Sequence, residues 1–90
     1  MLITTSRYSS QTTRGFAKSL AKLLGCKYIA RGKKAVDSLA SFARKNGDDK
    51  ICIVVEKSSL PVRLEFINIK ANATWAWEKE MVEITHDESG

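Results

Sequence analysis

The uninterrupted apolar run Ile51-Cys52-Ile53-Val54-Val55 constrains the fold of this chain more than any other feature. It holds five apolar residues, four of them β-branched, and β-branched side chains pack well on the pleated surface of a sheet. Successive strand side chains point to opposite faces, so a strand that is apolar at every position must be covered on both sides. The run therefore predicts a central strand with other elements packed on both faces.

Two segments with helical periodicity can supply that cover. The first runs from about Ser10 to Leu24 and is followed by Gly25, and the second runs from about Lys34 to Asn46 and is followed by Gly47. Glycine suits the left-handed residue that ends many helices. The apolar residues expected to face the core are Phe16, Ala17, Leu20, Ala21, Leu23 and Leu24 in the first helix, and Val36, Leu39, Ala40, Phe42 and Ala43 in the second.

Extended segments on either side of these helices complete a sheet. Met1 to Ile3 predicts a first strand, and Cys26 to Arg31 a short second one. Val62 to Phe66 alternates apolar and charged residues, as a half-buried strand does. Pro61 precedes this strand, where its missing N–H group is tolerated.

The last segment, Thr74 to Thr85, predicts an edge strand, although Glu78-Lys79-Glu80 would also suit a helix. Trp75 and Trp77 are expected on one face of this strand and Val82 and Ile84 on the other. The fold class is therefore α/β (α+β): a single small domain of order β-α-β-α-β-β(-β), with a mixed sheet and two helices. The domain is expected to occupy residues 1–85, followed by a polar tail at residues 86–90.

Charge is distributed unevenly along the chain. Residues 1–47 carry ten Lys or Arg and one acid, a net +9, whereas residues 48–90 carry five Lys or Arg and nine acids, a net −4. Such asymmetry favours a polyanionic partner, and the alternative is a merely soluble surface. No apolar run approaches the ~20 residues of a membrane span. No signal peptide is expected either, so we predict a cytoplasmic protein without a membrane partner.

The stretch from Thr4 to Arg14 forms a candidate anion site. A strand, a hydroxyl-rich turn and a helix N-terminus follow one another here, and the first turn of a helix presents unpaired N–H groups and a favourable dipole to anions. Two arginines add forked donors suited to phosphate. In the alternative interpretation, Ser9 or Ser10 simply caps the helix. Arg31-Gly32-Lys33-Lys34 forms a second basic turn, without the glycine spacing of a P-loop.

Residues for catalysis or metal binding are sparse, so no enzyme, metal site or cofactor is predicted. The single histidine, His86, lies in the tail, and Asp48-Asp49 suits a turn better than a metal. Cys26 and Cys52 lack metal-ligand spacing and are expected to be reduced, buried residues. Trp75 and Trp77 could stack on bases, but they lie in the acidic half, so packing in the core or an interface is the favoured role.

Several motifs in their order resemble the Brix-domain family. Thr4-Thr5-Ser6-Arg7, Ser10-Gln11, Thr13-Arg14 and Phe16-Ala17-Lys18 are similar to its opening signature, and Arg31-Gly32-Lys33 to its next one. Val54-Val55-Glu56-Lys57 and Val62-Arg63-Leu64 resemble its core strand and the strand after it. The resemblance spans about residues 2 to 69. It implies half of a domain built from two similar α/β halves, each like the anticodon-binding domain of some aminoacyl-tRNA synthetases.

This resemblance implies an RNA-binding ribosome biogenesis factor that binds rRNA or its precursor and assists rRNA processing and subunit assembly. A second copy of the chain, or ribosome-assembly proteins, would be its other partners. The alternatives are a small basic chromatin-type dimer that binds DNA or RNA, and a protein-interaction module using its basic face. The residues expected to contact RNA are Thr5, Ser6, Arg7, Ser10, Gln11, Arg14, Lys18, Lys22, Arg31, Lys33 and Lys34.

The chain departs from the family pattern at the first turn. The family usually has a lysine at the position of Tyr8, proline at that of Ser9 and a basic residue at that of Thr12. These differences remove positive charge from the turn. The chain is also shorter than the short archaeal-type members and corresponds to about the N-terminal half of the domain.

Overall fold

The computed structural model describes residues 1–71 and 74–85, and these form one mixed sheet with two helices. The elements are β1 (Leu2–Thr5), α1 (Gln11–Leu24), β2 (Lys27–Tyr28), α2 (Val36–Lys45), β3 (Lys50–Lys57), β4 (Leu60–Ile69), β5 (Trp75–Trp77) and β6 (Val82–Glu83). The strands lie in the order β2-β1-β3-β4-β5, and β6 also pairs with β4. The predicted fold class and element order are confirmed.

The apolar run of β3 lies at the centre of the sheet, as its composition predicts. Residues Ile51 to Val54 are at most 3% exposed. The strand pairs in parallel with β1, for example Ile3 with Cys52, and antiparallel with β4, for example Cys52 with Phe66. Both edges of β3 are therefore satisfied by main-chain hydrogen bonds, and no edge of the apolar run is left open.

The two helices cover opposite faces of this sheet. Ile51 and Ile53 of β3 belong to a core cluster with Leu39 and Ala43 of α2. The alternate strand residues Cys52 and Val54 belong to a second cluster, with Ala17 and Ala21 of α1. Because successive strand side chains point to opposite faces, α2 packs on one face and α1 on the other.

The predicted apolar face of α1 is wrong at its C-terminal end. Leu23 is 82% exposed and Leu24 52% exposed. The helix contacts the sheet through the fully buried Thr13 and Ala17 and through Ala21, which are four residues apart. Leu23 lies roughly 200° around the helix from Ala21, and Leu24 belongs to the last turn, which projects past the packed contact. Phe42 of α2, also expected in the core, is 36% exposed.

The predicted last strand is divided into β5 and β6, which pair with different stretches of β4. Ile67 is paired with Trp77, and Ile69 with Trp75, so both indoles lie on the α2 face. Val82 is paired with Leu64 on the opposite face, as expected. The residues between β5 and β6 form no helix.

The second strand is also shorter than predicted. Only Lys27–Tyr28 is extended and paired, and the chain then leaves the sheet in a loop that ends where α2 begins at Val36. The polar tail predicted at residues 86–90 lies outside the described residues. Within the described part, neither helix has the length and apolar character needed to cross a bilayer.

Candidate nucleic-acid interface

The loops that follow β1 and β2 meet the β3–β4 turn at one edge of the sheet. β1, β2 and β3 run parallel, so their carboxyl ends lie together. The Tyr8 N–H group donates to the carbonyl of Gly32 at 3.3 Å, which joins the first two loops. The Ser10 hydroxyl donates to the carbonyl of Ser59 at 2.9 Å, which joins the third. We call residues 6–10, 30–35 and 57–59 the loop face.

The hydroxyls at the start of the first loop hold the loop itself. Thr5 is fully buried, and its Oγ1 lies 2.7 Å from Oγ of the buried Ser9. The Ser6 N–H group donates to the carbonyl of Val54 at 2.9 Å. Thr5 is among the predicted RNA contacts, but its side chain lies inside the domain, because β1 extends to Thr5, two residues beyond the predicted end at Ile3.

The N-terminus of α1 is occupied by a carboxylate of the chain itself. Ser10 is the N-cap, and its Oγ accepts from the Thr13 N–H group at 3.2 Å. Glu56, at the end of β3, accepts the Ser10 N–H group on Oε1 at 2.9 Å and the Thr13 hydroxyl on Oε2 at 2.9 Å. The expected phosphate position at this helix end is therefore corrected: an internal anion meets the dipole, and Ser10 has the capping role of the alternative interpretation.

These contacts change the pKa of Glu56. Partial burial alone would raise it, but hydrogen bonds from Ser10 and Thr13 and the nearby charge of Arg14 together lower it below its ordinary value. The carboxylate is therefore ionised at neutral pH. It fixes the start of α1, and with it the position of Arg14, which is the first cation of the helix.

Arg31 is the second correction among the predicted contact residues. Its side chain is only 7% exposed, with Nε donating to the Lys34 carbonyl at 2.7 Å and Nη1 to the Thr5 carbonyl at 3.1 Å. Burial, followed by the charge of Arg7, lowers its pKa from the ordinary value. Arg31 therefore joins the second loop to the end of β1 through these hydrogen bonds, which is a structural role within the domain.

The remaining predicted residues lie on the loop face and on α1, and all but one of them are exposed. Lys18 and Lys22 follow Arg14 along α1, so that the stripe extends about 12 Å from the loop face. We call Arg14, Lys18 and Lys22 the α1 stripe. Of the predicted contact residues, those exposed on the loop face and α1 are Arg7, Gln11, Arg14, Lys18, Lys22, Lys33 and Lys34, with Ser6 partly exposed.

Local contacts position several of these cations without neutralising them. Arg14 Nη1 donates to the Ser9 carbonyl, and Lys34 Nζ to that of Ala30 at 3.2 Å. Lys18 Nζ lies 5.8 Å from the centre of the Tyr28 ring in the edge strand β2. No ion pair within residues 1–71 and 74–85 includes a Lys or Arg from residues 1–47. Among the described residues, the charge of Glu56 acts on this surface through Arg14, and most of the positive charge of the surface is unpaired.

The loop-face residues that sequence reasoning missed include Tyr8, Ser58 and Ser59. They are the non-glycine residues with positive φ in the described part, at 54°, 53° and 65° respectively. Such backbone angles are uncommon for these residue types, and they cluster at functional sites. No periodicity in the sequence reports a left-handed backbone at Tyr or Ser, so only the structure reveals them.

Other chemically reactive groups lie apart from this surface. Cys52 is buried on the α1 face, where burial raises the pKa of its thiol to about 11. Cys26 is also a free cysteine but is only partly buried. The described residues contain no cluster of three His, Cys, Asp or Glu side chains that could hold a metal ion.

Comparison with known proteins gives relatives of one kind, although no protein-family model matches the chain. The probable Brix domain-containing ribosomal biogenesis protein of Methanothermobacter thermautotrophicus is 37% identical over 68 residues, which is 76% of this chain and 41% of that protein. Its counterpart in Methanococcus maripaludis is 40% identical over 72 residues, 80% of this chain and 41% of that protein.

This chain is a relative of the archaeal Brix-domain proteins. Solved structures agree: the archaeal Imp4-like protein Mil is 37% identical with a TM-score of 0.69, over 76% of this chain and 43% of that one. A probable ribosomal biogenesis protein from Aeropyrum pernix K1 is 31% identical with a TM-score of 0.74, over 78% and 39% respectively. The chain thus spans about two-fifths of the length of the curated Brix-domain relatives it matches.

Proposed function

We propose that this chain is a ribosome biogenesis factor that binds rRNA or its precursor through the loop face and the α1 stripe. The observation that carries the proposal is the set of exposed cations on the loop face and α1, none of which forms an ion pair with a described acid. The names of the relatives support a role in ribosome biogenesis, since they describe ribosomal biogenesis proteins. The unpaired positive charge supports a polyanionic partner such as RNA, because many negative charges on one molecule are attracted to such a surface together.

Recognition would rest mainly on phosphates and on RNA shape. A stripe about 12 Å long, from the helical rise, can follow a phosphate backbone with its three cations, and the loop face extends this track at one end. Base edges in the deep, narrow major groove of an A-form helix are out of reach of side chains. Lys and Arg side chains along the track would therefore position the RNA without reading its sequence.

The further parts of the proposal concern organisation. Residues 1–85 would form one half-domain unit, acting in the cytoplasm in rRNA processing and subunit assembly. The unit would work beside ribosome-assembly proteins or a second copy of itself. No catalytic step is proposed, because the described surface brings together cations and hydroxyls without a paired general base or a nucleophile with a His partner.

Competition binding tests the proposal. The full chain is titrated against a fluorescently labelled structured rRNA hairpin, with unlabelled duplex DNA as competitor, at several salt concentrations. Each neutralised phosphate contributes about 0.7 to 0.9 to the magnitude of the slope of log affinity on log salt, so four or five contacts predict a slope between about −3 and −4.5. Preference for duplex DNA would favour the chromatin-type alternative. Failure to bind either polymer at low salt would favour a protein-interaction module.

A further inference from the structure

The most exposed aromatic side chain of the described residues lies in the middle of the loop face. Tyr8 is 76% exposed, yet its backbone has a φ of 54°. Glycine, asparagine and aspartate adopt this left-handed region readily, whereas a bulky aromatic residue does so at a cost in free energy. A glycine or asparagine would therefore form this turn at a lower cost in backbone free energy. Because the ring is mostly exposed, packing of the ring does not offset that cost.

The ring stands on a turn that is held from several sides. The Tyr8 N–H group donates to the Gly32 carbonyl at 3.3 Å. On the C-terminal side of Tyr8, the Ser9 hydroxyl forms a hydrogen bond with the Thr5 hydroxyl at 2.7 Å. The Ser9 carbonyl accepts a hydrogen bond from Arg14. The backbone that carries the ring is thus held before any partner arrives, which lowers the entropy cost of ordering the turn on binding.

Two exposed cations belong to the two loops that meet at Tyr8. Arg7 precedes it in the same turn and is exposed, and Lys33 is exposed in the loop that Tyr8 contacts through Gly32. An aromatic face flanked by unpaired positive charges matches a nucleotide, whose base has a π-face and whose phosphates are negative. The charge next to the ring disfavours a purely apolar protein partner.

We propose that Tyr8 is a stacking platform for an unpaired RNA base, with Arg7 and Lys33 holding the phosphates beside it. The inference rests on the proposed RNA-binding function and narrows its ligand class. The preferred RNA would carry a single-stranded loop, bulge or end next to a helix, because paired bases are already stacked within the duplex. Phosphate contacts along the α1 stripe would hold the adjoining helix.

Two variants at Tyr8 separate the ring from the turn. Tyr8→Asn removes the ring but favours the left-handed backbone, whereas Tyr8→Phe keeps the ring and removes the hydroxyl. The probes are a single-stranded oligoadenylate and a fully paired RNA duplex carrying the same number of phosphates. Stacking predicts that Tyr8→Asn weakens oligoadenylate binding about 5- to 100-fold while duplex binding stays within about 2-fold. Tyr8→Phe should stay within about 2-fold on both probes.

The salt slope supplies the second readout, since stacking releases no counterion. Tyr8→Asn should leave the slope unchanged, unlike a cation variant. Equal losses on both probes, no loss on either, or equal losses for Tyr8→Phe and Tyr8→Asn would overturn the inference. Unfolding by urea should show no loss of stability in Tyr8→Asn, and a less stable variant would contradict the stated role of the turn. If the wild-type chain bound neither probe, the proposed RNA function would fail instead.

Discussion

The two ends of this sheet differ in whether their charged side chains form ion pairs. Around β1, α1 and the loop face, cations stand on the surface with no acidic partner. Around β4, β5 and β6, charges are paired: Lys50 with Glu78 at 2.8 Å, and Arg63 with Glu65 at 2.6 Å. The hydrogen bond and charge of Glu78 raise the pKa of Lys50, and those of Lys50 lower that of Glu78.

This difference shows which charges are available to a partner. Exposed ion pairs add little stability, but they neutralise the local field. The second end is in addition tied to the rest of the domain by Trp75, whose Nε1–H group donates to Asp37 of α2 at 2.6 Å. The charged and polar groups of the second end therefore bind one another within the domain. The unpaired cations of the first end are available to a polyanion.

The largest loss of stability is expected at Trp75, which connects the second end to α2 through its hydrogen bond to Asp37. Trp75→Ala removes a half-buried indole from the α2 face together with the hydrogen bond to Asp37, and it should lower the free energy of unfolding by about 2 to 3 kcal/mol. Urea unfolding measures this. Trp77→Ala is the matched control, because its indole is 49% exposed; it should cost less than about 1 kcal/mol. Similar losses in both variants would contradict the assigned anchor.

A smaller loss of stability is expected at Glu56, the carboxylate that binds the N-terminus of α1. Glu56→Ala removes the acceptor of the Ser10 N–H group and the Thr13 hydroxyl, and should lower the free energy of unfolding by about 1 to 2 kcal/mol. Glu80→Ala, at an exposed acid, is the control and should stay within about 0.5 kcal/mol. A neutral Glu56→Ala would contradict the carboxylate cap.

The contribution of Glu56 should also depend on pH with a defined sign. Its pKa in the folded chain lies below the ordinary value of 4.5, so the folded state binds this proton more weakly than the unfolded state does. Its stabilisation is therefore complete above that ordinary value and is lost as the pH falls through the folded pKa. In urea unfolding at several pH values, the difference in stability between wild type and Glu56→Gln should shrink as the pH falls below the ordinary pKa of 4.5. A gap that widens on acidification would contradict this sign.

The smallest effect is expected from self-association through the second end. β5 and β6 have three and two residues, and exposed strand edges invite pairing with another chain, though edges this short pair weakly. Sedimentation should show a dimer that grows from micromolar to hundreds of micromolar protein. Val82→Lys, at a residue 51% exposed in β6, should suppress it. A strict monomer across this range would remove the idea of a homodimer.

Local sequence patterns predicted the elements and their order because those features depend on neighbouring residues. The apolar run of β3 and the glycine after α1 are both of this kind. The role of Glu56 could not be predicted, since its contacts with Ser10 and Thr13 join residues 46 and 43 positions apart. The burial of Arg31 likewise depends on a loop that folds back onto β1. The sequence placed the basic residues near one another, but only the tertiary contacts separate the structural cations from the exposed ones.

The central claim is that the α1 stripe is an RNA-binding track, and single charge removals test it most directly. Lys22→Gln is the cleanest variant, because Lys22 is exposed and forms no described ion pair, whereas Arg14 also supports the Ser9 carbonyl. Lys79→Gln, at an exposed lysine in the acidic half, is the matched control. Both variants should be as stable as wild type in urea.

The measurement is the slope of log affinity on log salt for the labelled rRNA hairpin with wild type, Lys22→Gln and Lys79→Gln. We expect Lys22→Gln to weaken binding and to make the slope shallower by about 0.7 to 0.9, the value of one lost phosphate contact. Lys18→Gln and Arg14→Gln should act alike, and Lys79→Gln should leave both quantities close to those of wild type. Equal losses for every variant would show diffuse attraction to positive charge and would contradict the assigned track.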